Sequence, residues 1–443
     1  MRYPAGECSV RHLFDAAMHT GWTLVGYRLP GESAVCWFLP ENPLPVLWNQ
    51  QSARGFVLAP FTFPATPAHW IARDVCFTGF HLWEETLIEL PHQLRAAVEA
   101  ISVSGDDAPT GINHQPNSDE PDTKTSGEGE GQPNPNEPNP QVPGGGEGQP
   151  KSGDSNAAVL NAVDRPEFES QVSAALGEIA SGRVEKVVLA RSEAHPWPTG
   201  MHPVDFVERL CTDYPQAFVN LVLHPKWGVW IGATPELLLE LEPAGVADPG
   251  ATESQPMKRL RSMALAGTLP VQDKAGEWGE KEIREQQVVD DFIARSWATR
   301  VRNFRRSARK SLTAGPVQHL CTLLEGESDS SLGELVRQLH PTPAVGGWPK
   351  AAALDVIHEI EKGARQLYGG FLGPVESPAE ARLFVNLRTL QLRGSQAHLH
   401  IGCGILGGSE PSREWAETVH KAKTLLRHLN VENPKGNSPV KLS

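Results

Sequence analysis

Glu282 and Glu285 in "EKEIREQQVVDD", and Glu414 and Glu417 in "SREWAETVHKAKTLL", form two pairs of acids spaced three residues apart. On a helix that spacing puts both carboxylates of a pair on one face, where like charges repel by a few tenths of a kcal/mol. Two such helices could together surround a hard divalent cation. Mg²⁺ takes oxygen ligands and is usually held through one or two carboxylates plus water. Lys421, one turn beyond Glu417, shares that face. Taken singly, either pair also suits a solvated helix face, and Lys281 and Arg284 beside the first pair favour that plainer reading. Lys186 in "EKVVLARS" is flanked by Val184, Val187, Val188 and Leu189. On a sheet edge it would turn to water, whereas desolvated among those neighbours it would have a lowered pKa and could act as a base. Glu236 in "IGATPELLLEL" follows a Gly-x-Thr-Pro turn that ends a strand, a common place for an acid in a cleft. His340 in "HPTPAVGGWPK" stands ahead of a helix starting near Ala351, where backbone N–H groups suit an anion. Glycines at 266–268 ("AGT") and 402–404 ("GCG") permit close backbone approach to a ligand. Cys403 between two of them reads as a small apolar filler. Together these residues describe a cation-dependent site for an anionic small molecule, with a lysine as candidate base and a glutamate as candidate acid.

The elements that must position them read as mixed. "VRHLFDAAMH" predicts a helix, followed by short strands at "GWTLVGYRLP", "SAVCWFLP", "PVLWNQ" and "GFVLAPF". "DRPEFESQVSAALGEIASG" places Phe168, Val172, Leu176 and Ile179 on one stripe with Pro166 near its start, which predicts a helix leading to the strand that carries Lys186. Beyond it, strands fall in pairs between helices, a pattern that points to α+β with antiparallel sheets over a doubly wound parallel fold. The basic run "RNFRRSARK" (302–310) has Phe304 as its one aromatic and reads as a solvated loop, not a nucleic-acid site.

The chain has 443 residues and a formal charge of −13. Ten acids against two lysines between Ser104 and Ser155 supply −8 of it, leaving −5 elsewhere, an ordinary balance for an enzyme. That acidic, Pro/Gly-rich stretch has too few apolar residues to offset its ordering entropy, so disorder is expected over 104–156. The expected division is 1–103 as an N-terminal part, 157–432 as the catalytic region and 433–443 as a tail. Six scattered cysteines without a CxxC fit reduced thiols. Without a secretory leader or an apolar run of about 20 residues, the chain is expected to be soluble and cytoplasmic, with no membrane or nucleic-acid partner.

In order, "EKVVLAR", "GATPELL", "ALAGT", "KEIREQ", "HPTPAVGG", "EKGARQLYGGFLG", "VNLRT" and "IGCGILGGSEPSREWAETVHKA" resemble the chorismate-utilising enzymes over about residues 166–428. The resemblance implies a single four-layer α/β/β/α fold with two packed antiparallel sheets, so that 104–156 becomes an insertion within it. Lys186 and "LAGT" resemble the water-using branch, which needs no glutamine amidotransferase subunit. The branch implies Mg²⁺-dependent isomerisation of chorismate to isochorismate, with Lys186 activating water and Glu236 protonating the departing hydroxyl. Glu285 and Glu417 match the nearest Mg²⁺ ligands, and Glu282 and Glu414 match carboxylates that assist through water. Gly267, Thr268, Tyr368, Arg388, Gly402 and Lys421 match substrate-contacting positions, and His340 a pocket histidine. The pattern "GYRLPG…GFVLAPF" looks like the menaquinone-pathway form. Gln286 in place of a frequent His, Cys403 in place of a frequent Ala, and the insertion depart from the pattern. A siderophore-pathway isochorismate synthase, or salicylate formation with loss of pyruvate, is the second reading, and a chorismate-binding protein without turnover a third.

Overall fold

The structure is a computed structural model and describes residues 9–42, 45–48, 54–79, 90–104, 160, 162–244, 257–271 and 278–429. The expected disordered insertion lies outside the described residues except for Ser104, the end of helix His92–Ser104, and so does the expected tail.

Among the described residues two large sheets form. The first runs Gly347–Trp348, Lys186–Pro196, Gln396–Leu406, Thr389–Arg393, Gly228–Thr234, Phe218–His224, Leu24–Arg28, Cys36–Leu39, Val75–Thr78. The second runs Arg302–Arg306, Val317–Ser328, Lys258–Pro270, Leu237–Pro243, Glu380–Val385, Phe371–Ser377, Gly55–Ala59, His69–Ala72, Val46–Leu47, with Lys310–Ala314 also paired to Val317–Ser328. Neighbouring strands in both are antiparallel, as the pairing of strands in sequence predicts. The run 302–310 departs from expectation: it is exposed, but Arg302–Arg306 is a strand along Val317–Ser328. Exposure on all its residues removes the alternation by which a half-buried strand is recognised.

Alternating side chains build the layers. In Phe218–His224, Phe218 and Val222 join Val25, Phe38, Phe56, Leu58 and Phe384 in an aromatic-rich core between the sheets. Val219, Leu221 and Leu223 point the other way, onto helices Val10–Thr20, Pro203–Asp213 and Pro411–Leu429. The far face of the second sheet, through Val57, Leu239 and Leu383, packs on helices Glu280–Trp297, Leu332–Leu339 and Lys350–Ile360. Helix, sheet, sheet and helix are the four layers of an α+β fold. The N-terminal strands are woven into both sheets: Leu24–Arg28 pairs with Phe218–His224, and Gly55–Ala59 with Phe371–Ser377. No described helix is long and apolar enough to cross a membrane.

Candidate active site

Lys186 begins the strand Lys186–Pro196, with Leu406 opposite it on one side and Trp348 on the other, so it is not at the sheet edge. Its side chain is 0% exposed. Burial lowers its pKa, and the Glu285 carboxylate, 3.2 Å from Nζ, opposes that shift without cancelling it. Burial pushes the Glu285 carboxyl up, but Lys186, Lys281 and Lys421 outweigh it and hold Glu285 below its ordinary value. Gly404 makes room for this pair, because a Cβ there would lie 2.1 Å from Glu285 Oε1 and 3.0 Å from Lys186 Cε. Gly404→Ala is therefore expected to displace the pair and lower kcat by on the order of 10²-fold, since about 1 Å of misplacement can cost that much. Steady-state kinetics beside an unchanged circular dichroism spectrum would show it, and turnover close to wild type would mean that the pair is not needed.

Glu236 follows Pro235 at the end of strand Gly228–Thr234 and lines a cavity together with Glu285, Thr268, Tyr368, Arg388 and Lys421. Burial raises its pKa to about 8, against the opposing charges of Lys186 and Lys421. Glu236 therefore holds a proton at neutral pH, beside a lysine whose ammonium burial weakens.

A bulge shapes the opposite wall. The pairing of Lys258–Pro270 with Val317–Ser328 slips between Ala266 and Thr268, and Gly267 there has φ +71°, which favours glycine. The extra residue aims Thr268 Oγ1 at His319 Nδ1, 3.2 Å away. His319 Nδ1 is also 3.0 Å from the Gly267 carbonyl, and Nε2 is 3.0 Å from an Arg388 nitrogen. Guanidinium can only donate, so Nε2 accepts and Nδ1–H donates to the carbonyl. Burial, with Arg388 and Lys421 adding to it, pushes the His319 pKa well down and keeps the ring neutral. Arg388 also donates to Thr424 Oγ1 at 2.6 Å, and its backbone sits at φ +49°, a strained conformation of the kind found at ligand sites. Burial lowers its pKa to about 10, which leaves it cationic at neutral pH. Lys421 donates to the Gly402 carbonyl at 3.0 Å and pairs with Glu417 at 2.7 Å. Cys403 is buried in the same wall, and burial raises its thiol pKa, consistent with an inert filler.

The acids of the two helices meet lysines. Lys281 Nζ lies 2.5 Å from Glu414 Oε1. Burial works against the Lys281 ammonium, but Glu417, Glu285 and Glu414 outweigh it and push its pKa up. Glu414, 1% exposed, is raised to about 7 by burial and by Glu417, against Lys281. Among the described residues no ready-made cage of three metal-binding side chains forms. The donor chemistry nevertheless fits Mg²⁺: the side chains are hard carboxylates, Glu414 Oε2 is buried without a hydrogen-bond partner, and Lys281 stands among three of the acids as a tethered cation.

Of the positions singled out in sequence, Glu236, Gly267, Thr268, Glu285, Tyr368, Arg388, Gly402 and Lys421 line one cavity. Lys186 reaches it through Glu285. Glu414 and Glu417 stand behind that wall and are tied to it by Lys281 and Lys421, while Glu282 is half-buried near the helix start, its carboxylate beside Gly279. His340 requires a correction. It is fully buried away from the cavity, with Nε2 3.1 Å from the Phe61 carbonyl and its ring packed on Phe61, Phe63 and Phe371. The pocket histidine is His319, in "VQHLCTLLEG". His400 also lines the cavity, stacked on Trp230 and Tyr368, and neither of its ring nitrogens has a hydrogen-bond partner. Each sits in a strand with other polar residues, Gln318 and Thr322 beside His319 and His398 beside His400, so residue type alone does not single it out.

The sequence model of the chorismate binding enzyme family matches residues 146–430. The chain belongs to that family. It is 33% identical over 279 residues to the isochorismate synthase EntC of Escherichia coli K12, covering 60% of this chain and 69% of that protein. It is 28% identical over 289 residues to the isochorismate synthase MenF of Bacillus subtilis, covering 62% of this chain and 58% of that one. The solved structure of the menaquinone-specific isochorismate synthase MenF from Escherichia coli aligns with a TM-score of 0.64 at 19% identity, over 92% of this chain and 88% of that chain, and shares the fold.

Proposed function

We propose that this chain is an isomerase that converts chorismate to isochorismate by adding water at one ring carbon as the hydroxyl leaves another. The observation that carries this reading is a desolvated lysine and a proton-bearing glutamate at one buried cavity, Glu236 lining it and Lys186 reaching it through Glu285. In its amine form, which burial favours, Lys186 takes a proton from the attacking water, and Glu236 gives one to the departing hydroxyl, which leaves as water. One water enters and one leaves. Passage of a proton from the lysine ammonium to the glutamate then restores the starting state. Arg388, Lys421 and Thr268 supply a guanidinium, an ammonium and a hydroxyl for the substrate carboxylates. Similarity to two proteins named isochorismate synthase supports the assignment.

Glu285 and Glu417, with Glu282 and Glu414 behind them, would hold Mg²⁺, which when bound neutralises a substrate carboxylate against which ring charge can shift. No amidotransferase subunit enters this scheme, because water is the nucleophile. A place in menaquinone synthesis is the reading that the N-terminal pattern "GYRLPG…GFVLAPF" supports, with the siderophore pathway as the alternative.

Incubation of the purified chain with chorismate, with and without Mg²⁺, followed by chromatography of the products, tests the proposal. Isochorismate formed only with the metal is the expected result. Salicylate and pyruvate would move the assignment to the lyase reading, and bound but unchanged chorismate would end the enzymatic one. Chelation is further expected to lower the Tm, and Mg²⁺ at about 100 times its Kd to restore about 2.7 kcal/mol of stability. An unchanged melt would separate the carboxylates from any metal.

A further inference from the structure

Cys36 and Cys76 lie at the end of the first sheet farthest from Lys186, on the adjacent strands Cys36–Leu39 and Val75–Thr78. Phe38 pairs with Cys76 and Cys36 with Thr78, so the two cysteines are diagonal neighbours on one face, with their sulfurs 3.5 Å apart. Arg73, in the turn between strands His69–Ala72 and Val75–Thr78, serves both sulfurs. Its Nε donates to Cys76 Sγ at 3.1 Å and its NH2 to Cys36 Sγ at 3.3 Å. Glu376 fixes that guanidinium at 2.6 Å and is itself held by Arg54 at 2.5 Å. Nothing in the isomerisation uses this cluster.

We propose that Cys36 and Cys76 are a redox-active dithiol, the site at which a peroxide-class oxidant is reduced while the pair closes to a disulfide. The two sulfurs are not equivalent. Cys76 is exposed and Cys36 half-buried, so an oxidant reaches Cys76 first. The S–H of Cys36 and the Arg73 donors stabilise a thiolate at Cys76 and bring its pKa down to about 6 against burial. Sharing with Cys76 and burial drive the Cys36 pKa up, so Cys36 keeps its proton. A thiolate, not a thiol, is the nucleophile. Cys76 sulfur attacks one peroxide oxygen, the O–O bond breaks, and the products are a sulfenic acid and hydroxide. The hydroxide released takes the Cys36 proton and becomes water, and the Cys36 thiolate so formed attacks the sulfenic sulfur, closing the disulfide and expelling its oxygen as hydroxide. Two electrons pass from the two sulfurs to the peroxide. Closure brings the sulfurs from 3.5 Å to about 2 Å, and among the described residues Val75–Thr78 is the outermost strand of its sheet, paired on one side only.

The test treats the full chain with graded hydrogen peroxide at pH 7, blocks remaining thiols with N-ethylmaleimide, and maps non-reduced peptides by mass spectrometry. A Cys36–Cys76 crosslink formed ahead of any other cysteine oxidation is the expected result. In Cys36→Ser, Cys76 is expected to stop at a sulfenic acid that dimedone traps, whereas in Cys76→Ser, Cys36 is expected to stay reduced. Arg73→Met should slow Cys76 alkylation at least tenfold at pH 7, as its thiolate fraction falls. The proposal is overturned if the wild-type pair stays reduced at peroxide levels that oxidise free glutathione. It is equally overturned if Cys76 in the wild type accumulates as sulfenic acid without a crosslink.

Discussion

Lys186→Ala is expected to lower kcat for isochorismate formation by about 10²–10⁴-fold, the usual worth of a positioned general base. The protein will also lose stability, because Glu285 is left as a buried charge without its nearest partner. Breaking a buried pair in this way costs about 3–5 kcal/mol, and Lys281 and Lys421 in the same field place the loss at the low end. Lys186→Arg separates the two effects. A guanidinium keeps a positive charge beside Glu285 but does not lose its proton in a protein. That variant should hold its fold and still be inactive, with Mg²⁺-dependent chorismate binding retained in a fluorescence titration. Turnover within tenfold of wild type for either variant would remove lysine as the base.

Glu236→Gln should lower kcat by a similar factor with little change in KM, because glutamine fills the same space but carries no acidic proton. Its effect on stability has the opposite sign. Glu236 titrates near 8 in the folded chain against about 4.5 when unfolded, so the folded state binds the extra proton. Stability is therefore greatest below the unfolded value and declines as pH rises from about 4.5 towards 8, where the buried carboxyl is forced to ionise. The glutamine variant lacks that slope. Denaturant melts across this window should show it gaining on wild type as pH rises, and parallel curves would contradict a buried, protonated Glu236. Wild-type kcat should in turn fall above about pH 8 as the acid loses its proton.

Most of the site was legible because family motifs fix residue types at turns and strand ends: Glu236 after its proline, Thr268 after the bulge glycine, Glu285 and Glu417 on their helices. What local sequence lacks is the partner from far along the chain. Lys281 looked like evidence for a solvated helix face, yet it neutralises Glu414, 133 residues away. His340 has the loop setting of an anion binder, but Phe61, 279 residues earlier, claims its ring nitrogen. His319 has no turn or motif to draw attention, and only the pairing of Lys258–Pro270 with Val317–Ser328 brings it to Thr268 and Arg388. The fold was legible at the level of α+β because hydrophobic alternation is a local property. The two-faced exposure of Arg302–Arg306 erased that signal for one strand.

The weaving of the N-terminal strands into both sheets bears on how the chain is made. Leu24–Arg28 and Gly55–Ala59 each have one antiparallel neighbour close by, Cys36–Leu39 and His69–Ala72, but the second neighbour of the first arrives only with Phe218–His224 and that of the second only with Phe371–Ser377. At about 5–20 residues per second, the first wait of about 190 residues lasts on the order of 10–40 s, and the second about 15–60 s. Through that interval the alternating apolar faces of the early strands lack their final cover, in a topology whose non-local pairings already make for slow closure. Nascent chains of this protein should therefore depend on holding chaperones, and the dependence should end only when the last third of the chain has emerged.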